Sequence, residues 1–419
     1  MAPRQVTSPR ADSRKTAKNR VRKIFCPVWG RSNAFVAGLS SAAFDLQIEN
    51  APFRSTTSPE TQPKTSLVNR FASKTLSVGL AALERLLAAP APAGITYEMV
   101  TVDNAGNSND TGGGGIGAVA YEYQIGKYEV TIGQYATFLN AADPEGTNPN
   151  AIYNPDMASD LNGAGISCNS EAGSGSKYSV INNGGDSASR PITYVSWFDA
   201  ARFANWMSNG QGTGSTETGA YTLVAGQTSG TAPSANAGAA FRLPTANEWY
   251  KTAYYSQDLN GGTGGYYAYA TQSDTAPDNQ INGTANQANW YTGNRYSVTQ
   301  SPFFLSGQNY LNDVGAFTGS ESFYGMFDRS GTVYEWNDLN GLQGSNRELR
   351  GGDLYYGGYD PAFRERFSID ASYGFRSNVG FRLASPVASD VPEIAPSSFG
   401  SALALVLGSL GLLERRRAR

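Results

Sequence analysis

No histidine occurs among the 419 residues of the chain. That absence removes Ser-His-Asp and Cys-His nucleophile systems, zinc sites containing an imidazole, and His-ligated iron. Two cysteines, Cys26 and Cys168, allow one disulfide at most, too few for a disulfide-stapled scaffold or a four-thiolate metal site. Charged residues are sparse at 16%, so any chemistry falls to carboxylates, hydroxyls, tyrosine, lysine, arginine or a thiol. What the chain has in plenty is glycine and tyrosine, 48 and 24 residues. With 40% hydrophobic residues over this length, it reads as a loop-rich globular protein able to bury a substantial core.

The net charge of -3 conceals an asymmetry. Met1 to Thr75 carries 13 Lys and Arg against 4 Asp and Glu, a net +9, whereas Gly94 to Ser385 carries 14 against 27, a net -13. An acidic folded part disfavours a nucleic-acid backbone as partner and suits cations such as calcium. The basic start reads as a leader and not as a nucleic-acid arm.

The chain divides by composition. Residues 1–73 lack any helical or strand period and read as a disordered basic leader. Residues 74–93 run from Lys74 through an apolar stretch to Ala91-Pro92-Ala93, the layout of a signal peptide, though Glu84 and Arg85 interrupt it. Cleavage after Ala93 removes Cys26 and leaves Cys168 as a lone exposed thiol without a catalytic part. Residues 94–385 form one domain and 386–397 a linker. Residues 398–419 are an apolar run followed by an Arg cluster, short for a membrane span but arranged as an anchor or sorting signal. Val391-Pro392-Glu393-Ile394 ahead of that run resembles the PEP-CTERM signal of exported bacterial proteins, which implies a sorting protease of exosortase type as a partner and a destination at the membrane or cell surface.

Three helix starts are well marked within the domain. Thr131 with Gln134, Ser196 with Asp199 and Thr245 with Glu248 each place a hydroxyl three residues ahead of an acidic or amide side chain, the spacing of a capping box. Short strands are expected at Phe241 to Leu243, Glu348 to Arg350 and Gly380 to Leu383. The fold class is therefore α+β, with few helices, short strands and long loops. The run Thr111 to Gly117 is Gly-rich but lacks the Lys-Ser/Thr of a phosphate loop, and reads as a flexible loop.

Six stretches carry a resemblance: Tyr123 to Thr131, Pro191 to Ala200 with Asn205-Trp206, Phe241 to Trp249, Tyr324 to Trp336, Leu349 to Gly352, and Gly380 to Ala384. In this order they resemble the formylglycine-generating enzyme family of sulfatase-modifying factor domains, which implies a C-type lectin-like fold. The family's catalytic members hold copper(I) on two cysteines after the Arg-Gly-Gly turn and oxidise a substrate cysteine. Here Tyr356 and Pro361 stand at those positions, and Gly351 to Arg366 contains no cysteine, so the copper chemistry is not expected. The related branch that uses histidine-bound iron is not expected either.

The resemblance further implies calcium, with Asp328, the carbonyls of Gly331 and Val333, and Glu335 at the ligand positions, a set of hard oxygens that suits the ion. Asn289 and Trp290 resemble the start of a second calcium segment. The bland alternative makes Asp328 and Glu335 a turn with a buried, backbone-bonded Glu. Tyr356, Tyr359, Arg364 and Arg366 fall where the family keeps its substrate groove. They suit either stacking and bidentate recognition of a peptide or sugar, or ordinary core and ion pairing. Two function classes follow: a calcium-stabilised surface binding or structural domain for a peptide, protein or glycan, and an enzyme, either a divergent formylglycine generator or a hydrolase built on carboxylates.

Overall fold

The computed structural model describes residues 94–163, 165–355, 366–374 and 376–387. The leader, the signal-like segment, most of the linker and the apolar tail lie outside these residues, as do Tyr356, Tyr359, Pro361 and Arg364.

All three expected capping boxes form. Helix α1 spans Ile132–Ala142, α2 spans Trp197–Ser208 and α3 spans Ala246–Tyr254, and in each the hydroxyl accepts from the N3 backbone while the N3 side chain accepts from the cap N–H. Helix α1 buries one face, including Ile132, Tyr135, Phe138 and Leu139. Helix α2 is buried along its length from Trp197 to Met207, as a helix enclosed on all sides must be. Its one buried guanidinium, Arg202, is met by Glu217 at 2.9 Å.

Two four-residue helical turns, Asp156–Ser159 and Leu259–Gly262, and eleven short strands complete the described fold: β1 (Met99–Val102), β2 (Tyr123–Gly126), β3 (Ile166–Cys168), β4 (Tyr178–Val180), β5 (Tyr255–Ser256), β6 (Gly265–Tyr266), β7 (Tyr334–Asn337), β8 (Asn346–Arg350), β9 (Arg366–Asp370), β10 (Val379–Phe381) and β11 (Ala384–Pro386). Strand β2 sits between β1 and β11 in one antiparallel sheet. The second sheet has the order β10-β7-β8-β9, with β10 parallel to β7 and the other pairs antiparallel. Strands β3 and β4, and β5 and β6, form two-stranded ribbons.

Strand β7 positions the site. All four of its residues are buried, so this strand is covered on both faces. By strand alternation Tyr334 and Trp336 point one way and Glu335 and Asn337 the other. The first pair joins α1 and α2 in the main core. There Phe203 lies 5.4 Å from Phe381 and 6.0 Å from Tyr135, and Trp206 lies 5.5 Å from Phe138, measured between ring centroids. Each such ring buried contributes roughly 1.5–3 kcal/mol. Glu335 turns instead towards Trp249 of α3.

Two expectations need correction. Phe241 to Leu243 is no strand; only Arg242 pairs, as an isolated bridge to Ala384, because Pro244 and the cap at Thr245 end the extended segment. The Gly-rich run is not a loose loop: Asp110 bridges to Ile116, and a Cβ at Gly117 would stand 2.6 Å from the Tyr266 hydroxyl, so glycine there is a packing requirement. Cys168 is disulfide-bonded in the uncleaved chain, so a lone thiol is expected only of a chain cleaved after Ala93.

Candidate functional site

Two places on the β7 sheet could carry function, one on each face. The inner face holds a buried charge cluster. Glu335 Oε2 accepts from Trp249 Nε1 at 3.0 Å, from Arg382 Nε at 2.7 Å and from Arg329 Nη1 at 3.3 Å, and Oε1 accepts from Arg382 Nη2 at 2.7 Å. Burial acts to raise the Glu335 carboxyl, but Arg382 and then Arg329 hold it below its ordinary range. Arg382 Nη2 also lies 3.3 Å from Glu129 Oε2. Glu129 is wholly buried with no hydrogen bond to either carboxylate oxygen, and burial pushes it well above the usual carboxylate range. The Arg329 guanidinium lies 4.2 Å from the centre of the Trp249 ring; burial and then the like charge of Arg382 lower it to about 9.

Asp328, at φ +61, turns to a different environment. Its Oδ2 accepts from the Gly315 N–H at 2.5 Å, while Oδ1 is buried without a partner. Burial raises its carboxyl to about 6. Asp328, Arg329 and Gln287 line a small cavity of about 10 Å³ with Thr271 and Ser320, and Gln287 Oε1 and Arg329 Nε also lack partners. One acceptor and two donors of a single water would complement that donor and those two acceptors, and the volume is that of one water.

The segments expected to bind calcium are thus laced together. Asn289 bridges Gly331 in parallel register, and the Asn289 carbonyl accepts from Thr332 N–H at 2.8 Å. Gly331 has φ +84, and a Cβ there would approach the Asn289 oxygen to 2.2 Å; only glycine permits that approach. Asn289 Nδ2 donates to the Tyr310 carbonyl and to Asn312 Oδ1, and the Trp290 carbonyl accepts from Asn279 Nδ2. Among the described residues, no group of three or more His, Cys, Asp or Glu side chains could together hold a metal ion.

The opposite face, which carries Tyr334 and Trp336, opens at one end into a cleft of about 420 Å³, walled by Tyr334 and Leu349, Phe367 and Ile369 of β9, and Tyr373, Arg376, Asn378 and Val379. It is the uncovered end of the core face, since Leu349 pairs with Phe367 in register and the Tyr334 and Phe367 rings meet edge to face at 5.4 Å. The Arg376 Nε donates to the Tyr373 hydroxyl at 2.9 Å. Arg366 alternates with Phe367 along β9 and therefore stands on the opposite face; it does not wall the cleft. Of the groove residues expected from the sequence, Tyr356, Tyr359 and Arg364 lie outside the described residues and Arg366 does not wall the cleft; Tyr334, Phe367, Tyr373 and Arg376 were not expected there. Only the alternation of β9 could have flagged Phe367, and Tyr373 and Arg376 lie in a loop with no local signal. Arg382 and Glu129 stood inside matched stretches, but their pairing with Glu335 had none.

Fold and site define an α+β domain with a buried ion cluster beneath a central strand and an aromatic cleft above it. Residues 115–387 match the family model described as the sulfatase-modifying factor enzyme 1-like domain, and the chain belongs to that family. No curated protein matches the sequence. Similar solved structures include the Treponema denticola variable protein 1, at 18% identity over 70% of this chain and 97% of that one, with a TM-score of 0.38. CarF is similar at 19% identity over 70% and 99%, TM-score 0.41, and PvdO from Pseudomonas aeruginosa at 17% over 72% and 100%, TM-score 0.35. The assignment rests on the family match alone.

Proposed function

We propose that this is an exported member of the family that binds a ligand and does not oxidise a thiol, and that the cleft on the core face of the β7 sheet is its binding site. The observation that carries the reading is the wall of the cleft. Its eight described lining residues offer three aromatic rings, three aliphatic side chains, one amide and one guanidinium, with no thiol, hydroxyl nucleophile of serine or threonine type, or carboxylate among them. A cleft of 420 Å³ falls in the range of small-ligand sites, about 300–1,000 Å³, and its chemistry suits a ligand with a flat or apolar face and a hydrogen-bonding edge, such as a peptide side chain or a sugar ring. The missing thiolates of Gly351 to Arg366 support the same reading, since copper(I) needs soft sulfur ligands. Export is supported by the basic leader, the signal-like segment ending at Ala93 and the apolar tail with its Arg cluster.

The test has two arms on the purified full chain. Incubated with copper, oxygen and a Cys-x-Pro-x-Arg sulfatase peptide, it should leave the peptide cysteine unmodified by mass spectrometry; aldehyde formation overturns the proposal. On peptide and glycan arrays, Tyr373→Ala should weaken retention of whatever wild type retains by about tenfold, the loss of roughly 1.4 kcal/mol from one stacking contact. Unchanged retention would remove the cleft as the site.

A further inference from the structure

The family resemblance puts calcium on Glu335. The geometry points elsewhere: we infer that Glu335 is no metal ligand in this chain, and that two of the chain's own guanidinium groups, Arg329 and Arg382, supply the positive charge that calcium would bring to this position. The inference is independent of the cleft.

A carboxylate offers about four lone-pair sites. Three N–H donors crowd Oε2 of Glu335, Trp249 Nε1, Arg329 Nη1 and Arg382 Nε, and Arg382 Nη2 takes one of the two sites of Oε1. An ion at calcium's usual distance of 2.3–2.6 Å from Oε2 would have to displace one of these donors, and on the remaining site of Oε1 it would sit against the Arg382 guanidinium, a like charge that at buried separations strongly repels it. Neither guanidinium is free to leave. Arg382 Nη1 donates to the carbonyls of Gly126 and Lys127, and Nη2 to that of Phe327, at 3.0 to 3.2 Å. Arg329 Nη2 donates to the Trp249 carbonyl and the Thr252 hydroxyl while its plane covers the Trp249 ring. Withdrawing either would bury unpaired backbone carbonyls.

Arg382 therefore joins the end of β2 to the segment before Asp328 and to β7, which lie far from β2 in sequence. Cross-linking of that kind is what a structural ion does, and here a side chain does it. Asp328 does not share the position: its Oδ2 is held by the Gly315 N–H and its Oδ1 belongs to the separate water-sized cavity beside Gln287. Carboxylates that resemblance would set around one ion are thus divided between two environments.

Thermal melts of the full chain in excess calcium and in excess EDTA test this, for wild type and Glu335→Gln. The expected result is one melting temperature for wild type in both buffers, with Glu335→Gln lowered by the same amount in each. A calcium-dependent rise of equal size in both proteins would place the ion elsewhere and also support the inference. A rise in wild type that Glu335→Gln abolishes would overturn it. Should Glu335→Gln not fold, Glu335→Asp, which draws the carboxylate back from this position, takes its place: an equal calcium response in it and wild type supports the inference, and a wild-type response that it lacks overturns it.

Discussion

Glu335 was legible in the sequence as an important carboxylate because Tyr334-Glu335-Trp336 lies in a stretch that resembles the family's calcium segment. Its partner was not legible, because Arg382 lies 47 positions away and no local period links the two. The same limit applies to Asp199, whose capping role its spacing announced but whose burial the spacing could not show. Burial raises the Asp199 carboxyl from 3.8 to about 6, with the Ser196 bonds opposing. The native state thus holds a proton that the unfolded chain releases between about pH 4 and pH 6, so this group's contribution to stability is complete below the unfolded value and is lost as pH rises through that window. A shift of this size corresponds to about 3 kcal/mol at most. Asp328 and Asp338 are raised similarly, also chiefly by burial. Asp199→Asn, neutral throughout, should remove one contribution to the fall in stability across that window, to which Asp328, Asp338 and the raised Glu129 also contribute, read by urea denaturation at a series of pH values. A slope identical to wild type would count against a buried, protonating Asp199.

At the scale of elements, the helix starts were the most legible feature, because a capping box is written within four residues. What the box does beyond capping depends on neighbours. In α3, Glu248 accepts from Thr245 N–H at 2.7 Å and from the Thr245 hydroxyl, and also pairs with both Nη atoms of Arg242, at 2.7 and 2.5 Å. These pull the Glu248 carboxyl below its ordinary range against the opposing effect of burial. Thr245→Ala should accordingly cost about 1 kcal/mol, an ordinary cap loss, whereas Glu248→Ala should cost about 3 kcal/mol or more because it strands the Arg242 guanidinium. Chemical denaturation of both variants checks the ratio, and equal losses would show that Glu248 acts as a cap alone. Strands were less legible. Glu348 to Arg350 fell within β8, and Gly380 lies in β10, but the parallel pairing of β10 with β7 is a long-range choice that a three-residue pattern cannot encode.

At the scale of the molecule, the acidic balance of the domain follows from composition, but its surface character follows from the fold. Among the described residues, eight of the domain's 14 cations are buried, Lys177, Arg190, Arg202, Lys251, Arg329, Arg347, Arg350 and Arg382, together with nine of its 27 carboxylates, so charge inside nearly cancels and the acidic excess falls on the exterior. The proposed export makes a prediction at this scale: protein recovered from membranes should begin close to Gly94 on N-terminal sequencing, and a mature chain beginning at Met1 would remove the argument for a signal ending at Ala93. By itself the sequence determined the family, the three helices and the absence of histidine chemistry, because each is written in residue identity or in spacings of a few positions. Only the tertiary structure decided that Glu335 belongs to arginines, that Asp328 faces a separate cavity, and that the core sheet opens into an aromatic cleft. Those outcomes depend on which distant segments the burial of β7 between α2 and α3 brings into contact, and burial of that kind is a property of the packed chain.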